Sequence, residues 1–540
     1  MIEVKFQGND PGRRLFSPAM ETPAKIRDYV ARPFGTFPEL LALQAQARPD
    51  APALVCGERQ VSYGELDSLA DRVAAGLQRD GVRSGGVAAI CAASSIDYVA
   101  AFVGTLRAGA AVSPLAPSST PQQLDAMLAD SGASHLFLDG SASRHLQPVA
   151  ARIRARRTAL DAEAQGEPFS DWLPAAGSSP DPVDIEPGQP FNIIYSSGTT
   201  GTPKGIVQSH AMRWPHHNLI DPPGYGPDAV TIVSTPLYSN TTLVSLIPTL
   251  AGGGAAVLVP KFDPRGFLEL AERHQATHAM LVPVQYRRIL EVPDFDRFDL
   301  SSFRLKFATS APFPPELKAE VLRRWPGGLV EYYGLTEGGG SCMLVAHKHP
   351  NKLHTLGQPM PGHDIRVVNE RGEAAAPGEV GEIVGKSRSM MTGYHNRPEQ
   401  SAAAEWISPE GERFLRTGDL GRFDEDGFLT LVGRAKDMII SGGINIYPAD
   451  LEQALTELPE IREAAVIGVP SEKWGETPFA FVVLERGAAA EPEALRATAN
   501  AKLGKMQRIS GLRIVESLPR SAIGKVLKRE LQALHPGRAP

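Results

Sequence analysis

Cysteine is scarce in this chain, with three in 540 residues, at Cys56, Cys91 and Cys342. They stand far apart, in neither a metal-ligating spacing nor a pairing framework. That excludes a disulfide-stapled scaffold and fits a reducing compartment, with each cysteine read as a small buried apolar residue. Long apolar runs are missing too. The most apolar long stretch, Ser245 to Pro260, is broken by Pro248 and Gly252-Gly253-Gly254, and reads as a helix end, a turn and a strand. A transmembrane segment is therefore not expected. Met1 to Arg14 lack the apolar core of a signal peptide, so the expected location is cytoplasmic. There is no basic excess: 55 Lys+Arg against 61 Asp+Glu leave a formal charge of -6, which argues against a nucleic-acid partner. Internal repeats and coiled-coil heptads are absent. What remains, 42% hydrophobic and 21% charged, is ordinary for a soluble globular protein. The length suits about three or four compact units.

Against this background one stretch stands out, Tyr195-Ser196-Ser197-Gly198-Thr199-Thr200-Gly201-Thr202-Pro203-Lys204-Gly205. Glycines let backbone N–H groups approach phosphate oxygens, hydroxyls add donors and the lysine adds charge. The apolar run Phe191 to Tyr195 before it reads as a strand, so the loop hangs from a rigid edge. The spacing does not fit a Walker loop, and a plain flexible loop is the alternative.

Ser62-Tyr63-Gly64-Glu65 is a capping box opening an amphipathic helix to about Leu77. Strand-like runs at Val87–Ala92, His135–Leu138, Phe191–Tyr195, Thr231–Thr235, Ala255–Val259 and His278–Val282 alternate with helical patterns at Asp97–Arg107, Pro121–Leu128 and Pro264–His274. The predicted fold class is α/β: a large N-terminal domain with mixed, mostly parallel sheets and helices. Gly166 to Pro190 read as a surface linker, and Gly357 to Leu431 as a small β-rich subdomain. A boundary falls near Gly433-Arg434-Ala435-Lys436-Asp437. Beyond it, helices at Pro448–Glu457 and Glu493–Leu503 and strands at Glu463–Val469 and Thr477–Val483 suffice for a small α+β domain. The division expected is 1–433, a hinge at 434–438, and a mobile C-terminal domain at 439–540.

Four further segments are dense in polar residues and glycine: Tyr332-Tyr333-Gly334-Leu335-Thr336-Glu337, Arg416-Thr417-Gly418-Asp419-Leu420, Gly433 to Ile446, and Pro519-Arg520-Ser521-Ala522-Ile523-Gly524-Lys525. With the phosphate loop, in this order, they resemble the adenylate-forming superfamily of acyl- and aryl-CoA synthetases, peptide-synthetase adenylation domains and luciferases. The likeness runs from about residue 35 to about residue 530. It implies a two-step ligase using ATP, Mg2+ and CoA: a carboxylate attacks the α-phosphorus, pyrophosphate leaves, and a thiol then displaces AMP.

The same resemblance implies roles residue by residue. Ser197, Gly198, Thr199, Thr200, Gly201 and Lys204 would wrap the β,γ-phosphates. Glu337 would hold Mg2+, a hard cation suited to a carboxylate with phosphate oxygens. Thr336 would touch the α-phosphate, and Tyr333 would lie against adenine. Asp419 would grip the ribose hydroxyls with Arg434 in support. Lys525 would be catalytic, a mobile point charge bridging carboxylate and α-phosphate. Lys436 sits at the hinge, where aspartate is commoner. Ser441, Gly442 and Gly443 would line a tunnel for the pantetheine arm after the small domain swings, and Trp474 would stack on the CoA adenine. For each charged residue the plainer reading is a solvated surface charge, and for Trp474 a local core anchor. The lysine segment also resembles one that acetyltransferases modify, so a lysine acetyltransferase acting on Lys525 is an expected partner.

The acyl pocket is less marked. Ser239-Asn240 stand where relatives often have an aromatic or histidine gate, and Gly338-Gly339-Gly340 follow Glu337 where bulkier residues are common; their missing side chains either make room for a large acid or leave a mobile loop. Trp214, Asn240, Thr241, Ala308, Thr309 and Gly338 are the candidate lining. No arginine plainly clamps a second carboxylate, although Arg213 and Arg287 stay open. An apolar medium- or long-chain fatty acid or an aryl acid is therefore favoured over a dicarboxylate. A carrier-protein thiol acting in trans is the alternative acceptor, since too little chain follows Lys525 for a fused carrier. A catalytically silent nucleotide-binding regulator is the alternative from outside enzymology. The expected state is a monomer or homodimer.

Overall fold

The structure is a computed structural model that describes residues 23–196, 203–216, 224–441, 444–504, 507–521 and 524–535. Two large sheets organise the chain up to the boundary. In the first, strands lie in the order 167–168, 156–159, 135–138, 87–91, 111–114, 190–196, 204–209 and 393–394. Neighbours from 167–168 to 190–196 are parallel; 204–209 and 393–394 join antiparallel. The second sheet runs 59–62, 52–56, 255–258, 230–233, 278–281, 305–308, 328–333, 342–345 and 358–359. Its six central strands, 52–56 to 328–333, are parallel, and antiparallel strands close both edges.

Both sheets share one core. Ile90, Val112 and Phe191 from the first meet Leu54, Val233 and Leu258 from the second across helices Phe37–Ala47, Tyr63–Arg79, Ile96–Arg107 and Asn240–Ala251. Such helices are apolar nearly all round because sheet faces lie on both sides, as in Ile96–Arg107, where the eleven consecutive residues from Ile96 to Leu106 include no exposed one. Helices 121–131 and 140–146 cover the outer face of the first sheet, and 264–273, 283–290 and 315–324 that of the second. The helix after Ser62 starts with the expected reciprocal capping box.

Two expectations need correction. Gly166 to Pro190 is not wholly a surface linker, because Phe169–Trp172 form a helical turn and the Trp172 ring is fully buried, its indole donating to Asp80 at 2.6 Å. An isolated Phe-x-x-Trp in polar surroundings gives no periodicity, yet its apolar area is enough to anchor the segment. Cys56 is half-buried, unlike Cys91 and Cys342. Ser245 to Pro260 is the helix end, turn and strand expected, with Pro248 carried inside the helix Asn240–Ala251 and the strand at Ala255–Leu258.

Residues 364–368, 381–386, 405–407, 413–423 and 429–434 form a five-stranded antiparallel sheet. The chain leaves it at Arg434, makes one 3-10 turn at Ala435–Asp437, and enters a separate sheet at Ile439. That last sheet pairs 444–446, 439–441, 475–484, 461–471 and 511–514 and packs helices 448–456 and 492–502 around its own core. Among the described residues no helix is long and apolar enough to cross a membrane.

The second sheet holds a buried ion pair that the sequence does not announce. The Lys318 ammonium lies 2.5 Å from the Glu331 carboxylate, both side chains almost wholly buried, and also donates to Leu353 O at 2.6 Å. Burial pushes the Glu331 carboxyl up to about 7, against the pull of the ammonium. A carboxyl raised on folding takes up a proton, so its contribution falls as pH rises from the unfolded value through about 7 and is flat above. Lys318→Met should destabilise the protein by about 3 kcal/mol. With the ammonium gone the decline continues to higher pH, so urea melts should show a larger deficit at pH 8 than at pH 6.

Candidate active site

The site lies beyond the carboxyl ends of the parallel strands of the second sheet, where the backbone turns outward and side chains converge. Strand 328–333 delivers Tyr333 and then the turn holding Thr336 and Glu337; strand 305–308 ends at Ala308 before Thr309 and Ser310; strand 278–281 leads to Val282 and Val284; strand 230–233 leads to Asn240 and Thr241. These contributions come from positions up to about a hundred residues apart, brought level by in-register parallel pairing.

The most defined element is a buried carboxylate. Asp419, only 4% exposed, takes the Tyr333 hydroxyl on Oδ2 at 2.8 Å and the Arg434 Nε on Oδ1 at 2.6 Å. Asp419 and Arg434 are direct partners across the antiparallel pair of strands 413–423 and 429–434, which makes their meeting a consequence of register. Thr417 helps by accepting the Asp419 N–H at 3.0 Å while its own hydroxyl donates to Ile383 O at 2.7 Å. Burial raises the Asp419 pKa, opposed by Arg434 and Tyr333.

Lys525, on the loop that follows the last sheet, lies within the electrostatic reach of this carboxylate. Desolvation in the cleft lowers its pKa first, the like charges of Arg434 and Lys436 add to the effect, and Asp419 and Asp437 oppose it. The residue keeps accessible area, so solvent screens part of these charge effects. Its loop is preset: Arg520 donates to Gly524 O at 2.7 Å and to Glu463 at 2.5 Å, and Ser521 N to Lys525 O at 2.8 Å. Gly524 sits so close to the N-terminal part that a Cβ there would lie 3.0 Å from Val284 Cγ1 and 3.5 Å from Val282 Cγ2.

Around Glu337 the contacts are equally specific. Tyr394 donates to its Oε1 at 3.1 Å, and Gln208 Nε2 donates to Thr336 O at 2.6 Å. Gln208 in turn accepts from Arg213, a buried guanidinium that also donates to Asn240 Oδ1 at 2.7 Å and that burial lowers to about 9. Lys204 holds its ammonium 5.2 Å from the centre of the Tyr394 ring.

The remaining sequence candidates separate. Thr241 Oγ1 lies 2.5 Å from Ser310 Oγ, with Ser310 in the left-handed region at φ 79°, so Asn240, Thr241, Ala308 and Thr309 adjoin one another. Trp214 instead packs among Ile26, Tyr29 and Leu40 and donates to Arg32 O at 3.1 Å. Trp474 is 40% exposed beside a cavity of about 550 Å³ that Ser441, Arg496 and Arg508 also line. Lys436 is exposed in the 435–437 turn. Ser197, Gly198, Thr199, Thr200, Gly201, Gly442 and Gly443 lie outside the described residues. Tyr394 and Gln208 were missed; a lone tyrosine after Gly393 and a glutamine in a strand carry no spacing that singles them out.

The space left by Gly338-Gly339-Gly340 is filled by the protein itself. A Cβ on Gly338 would fall 1.8 Å from Ser389 O, on Gly339 2.9 Å from Leu415 Cβ, and on Gly340 2.6 Å from Ile365 Cδ1. Gly338 is thus required by backbone approach, Gly339 and Gly340 are closed in by neighbouring side chains, and the run does not open room for an acid.

Known proteins agree with this architecture. Residues 41–395 match the model of the AMP-binding enzyme family, and 450–525 that of the AMP-binding enzyme C-terminal domain. Feruloyl-CoA synthase from Amycolatopsis sp is 34% identical over 91% of this chain and 97% of that protein. The long-chain-fatty-acid–CoA ligase of Bacillus subtilis is 30% identical over 95% and 96%. ATP-bound MatB from Rhodopseudomonas palustris superposes with a TM-score of 0.84 at 30% identity, covering 92% of this chain and 98% of that one. The chain belongs to the AMP-binding enzymes. It is an AMP-forming acid–thiol ligase of the adenylate-forming class.

Because Gly338 holds φ 76° hard against Ser389, Gly338→Ala should displace the Glu337 turn. The expected cost is about 1–3 kcal/mol of stability, read by thermal melting, with a fall of at least about tenfold in pyrophosphate release.

Proposed function

We propose that the chain activates an apolar monocarboxylic acid, aryl or fatty, as its adenylate and passes the acyl group to CoA. The observation that supports this most is the delivery of Lys525 into the field of Asp419 and Arg434 by a separately built domain. In this reading residues 1–433 form the nucleotide-binding domain, 439–540 the mobile one, and Lys436 in the 434–438 crossing is the hinge. Ser197, Gly198, Thr199, Thr200, Gly201 and Lys204 cradle the β,γ-phosphates, Thr336 touches the α-phosphate, and Tyr333 and Asp419 place adenine and ribose.

Glu337 fits Mg2+: it is a half-buried carboxylate with one oriented oxygen, and among the described residues no cluster of three or more acidic, His or Cys side chains competes with it. A single carboxylate with phosphate oxygens and waters is the usual set for this ion, which when bound neutralises phosphate charge. In the first step a substrate carboxylate oxygen forms a bond to the α-phosphorus and the bond to the pyrophosphate oxygen breaks. Pyrophosphate leaves with the electron pair. Lys525 keeps its proton and spreads its charge over both the entering oxygen and the phosphoryl oxygens. In the second step the CoA sulfur bonds to the acyl carbon, AMP leaves with its phosphate oxygen, and the thiol proton is lost. Trp474, with Ser441 and the loop of Gly442 and Gly443, is assigned to CoA; the exposed indole beside Arg496 and Arg508 suits a phosphorylated purine nucleotide.

The acid is argued from two sides. Arg213 is engaged by Gln208 and Asn240, which leaves a pocket at Asn240, Thr241, Ala308 and Thr309 without an evident clamp for a second carboxylate. Relatives named for feruloyl and long-chain fatty substrates both carry monocarboxylates. A panel from acetate through fatty to aromatic acids, with malonate included, should give CoA-dependent AMP release only with apolar members. Pyrophosphate release without AMP release on adding CoA would point to a carrier thiol, and no release with any acid would refute the reading.

Lys525→Ala should lower adenylate formation by at least about a hundredfold while ATP binding changes little. The lowered pKa of Lys525 puts the alkaline limb of the first step below the ordinary lysine value of about 10.4, with the rate falling as pH rises and the ammonium loses its proton. In Lys525→Arg, which stays charged, the residual rate should lack that limb; an unchanged limb would assign it to another group.

A further inference from the structure

Residues 389–395 tie together the two sides of the nucleotide face. On one edge Thr392 N donates to Val207 O at 2.9 Å and His395 N to Gly205 O at 2.7 Å, on the strand leaving the phosphate loop. On the other, Met391 N donates to Glu337 O at 2.8 Å and Gly339 N to Ser389 O at 3.1 Å. Tyr394, paired with Ile206 in the sheet, is the side chain that spans the interval. Its ring faces the Lys204 ammonium at 5.2 Å and its hydroxyl reaches Glu337 Oε1 at 3.1 Å.

Lys204 and Glu337 carry opposite charges on the two sides of this seam. Left to themselves they would be drawn into an ion pair across the space that a polyphosphate needs. Among the described residues no such ion pair forms, and an aromatic ring with a neutral hydroxyl stands between them. A ring face attracts the ammonium without neutralising it, and a hydroxyl fixes one carboxylate oxygen while leaving the other free.

We propose that Tyr394 is a positioning residue that orients the Glu337 carboxylate toward the polyphosphate and holds Lys204 apart from it. The inference rests on the assignment of Glu337 to Mg2+ made above. It separates two duties: the hydroxyl aims the carboxylate, and the ring spaces the charges. Tyr394→Phe removes the first and keeps the second; Tyr394→Leu removes both.

The test is calorimetric binding of a non-hydrolysable ATP analogue over a range of Mg2+ concentrations, with no acid or CoA present. In Tyr394→Phe the Mg2+ concentration that half-maximally tightens binding should rise about fivefold, the effect of losing one hydrogen bond to a charged group. Tyr394→Leu should in addition weaken binding of the analogue without Mg2+ by about threefold or more, because Lys204 is then free to pair with Glu337. Glu337→Gln should largely abolish the Mg2+ dependence, and Tyr394→Phe added to it should have no further effect. If Glu337→Gln leaves the dependence intact, the assignment of Glu337 is wrong. If Glu337→Gln abolishes it while Tyr394→Phe behaves as wild type, or if the two effects simply add, the role of Tyr394 is overturned and that of Glu337 stands. A nucleotide-free Tyr394→Phe protein that melts well below wild type would also overturn the proposal, since the hydroxyl would then serve the fold.

Discussion

Two cations, Arg434 and Lys436, are held close enough to oppose the charge of Lys525, and two carboxylates, Asp419 and Asp437, act against that opposition. Cations gathered without ligand repel, and the fold supports the cost because anionic substrates gain from it. Asp419 is the centre of this balance. It is buried, bonded by Tyr333 and paired with Arg434, so it links the second large sheet, the small antiparallel sheet and the last domain in one electrostatic contact.

This dependence accounts for the rigidity of the parts that bring charge and for the thinness of the connection between them. Arg434 and Asp419 are cross-strand neighbours and cannot separate without breaking the sheet. The Lys525 loop is bonded to itself and to Glu463. Between these two stiff bodies runs a single crossing at 435–438, with Gly524 resting against Val282 and Val284 as the contact opposite it. Helix 448–456 also packs against strand 429–434; in the proposed two-step reading, this docking is what the last domain would leave between the two steps.

The seam between Lys204 and Glu337 shows the same logic at shorter range. In the proposed reading, opposite charges are kept from satisfying each other by a neutral side chain, with Gly338 letting the strap at 389–395 come close enough to supply it. The buried Arg213 extends the principle beneath, where Gln208 hands its constraint on to Thr336 through one amide.

Much of this was readable in the chain. The apolar runs that became parallel strands, the Ser62 capping box and the ordered series of polar, glycine-rich segments are local signals, because strand burial, helix capping and phosphate chemistry each depend on residues a few positions apart. Those segments also named Asp419, Arg434, Thr336, Glu337 and Lys525. Local pattern has no access to distance across the fold, and that is where the tertiary structure decided the rest. Trp172 and Trp214 became anchors of the core; Lys318 and Glu331 became a buried pair; three glycines made room for protein and not for ligand. Tyr394 gained its place only because strand 393–394 pairs with 204–209, setting it between two charges that lie 190 positions before it and 57 before it.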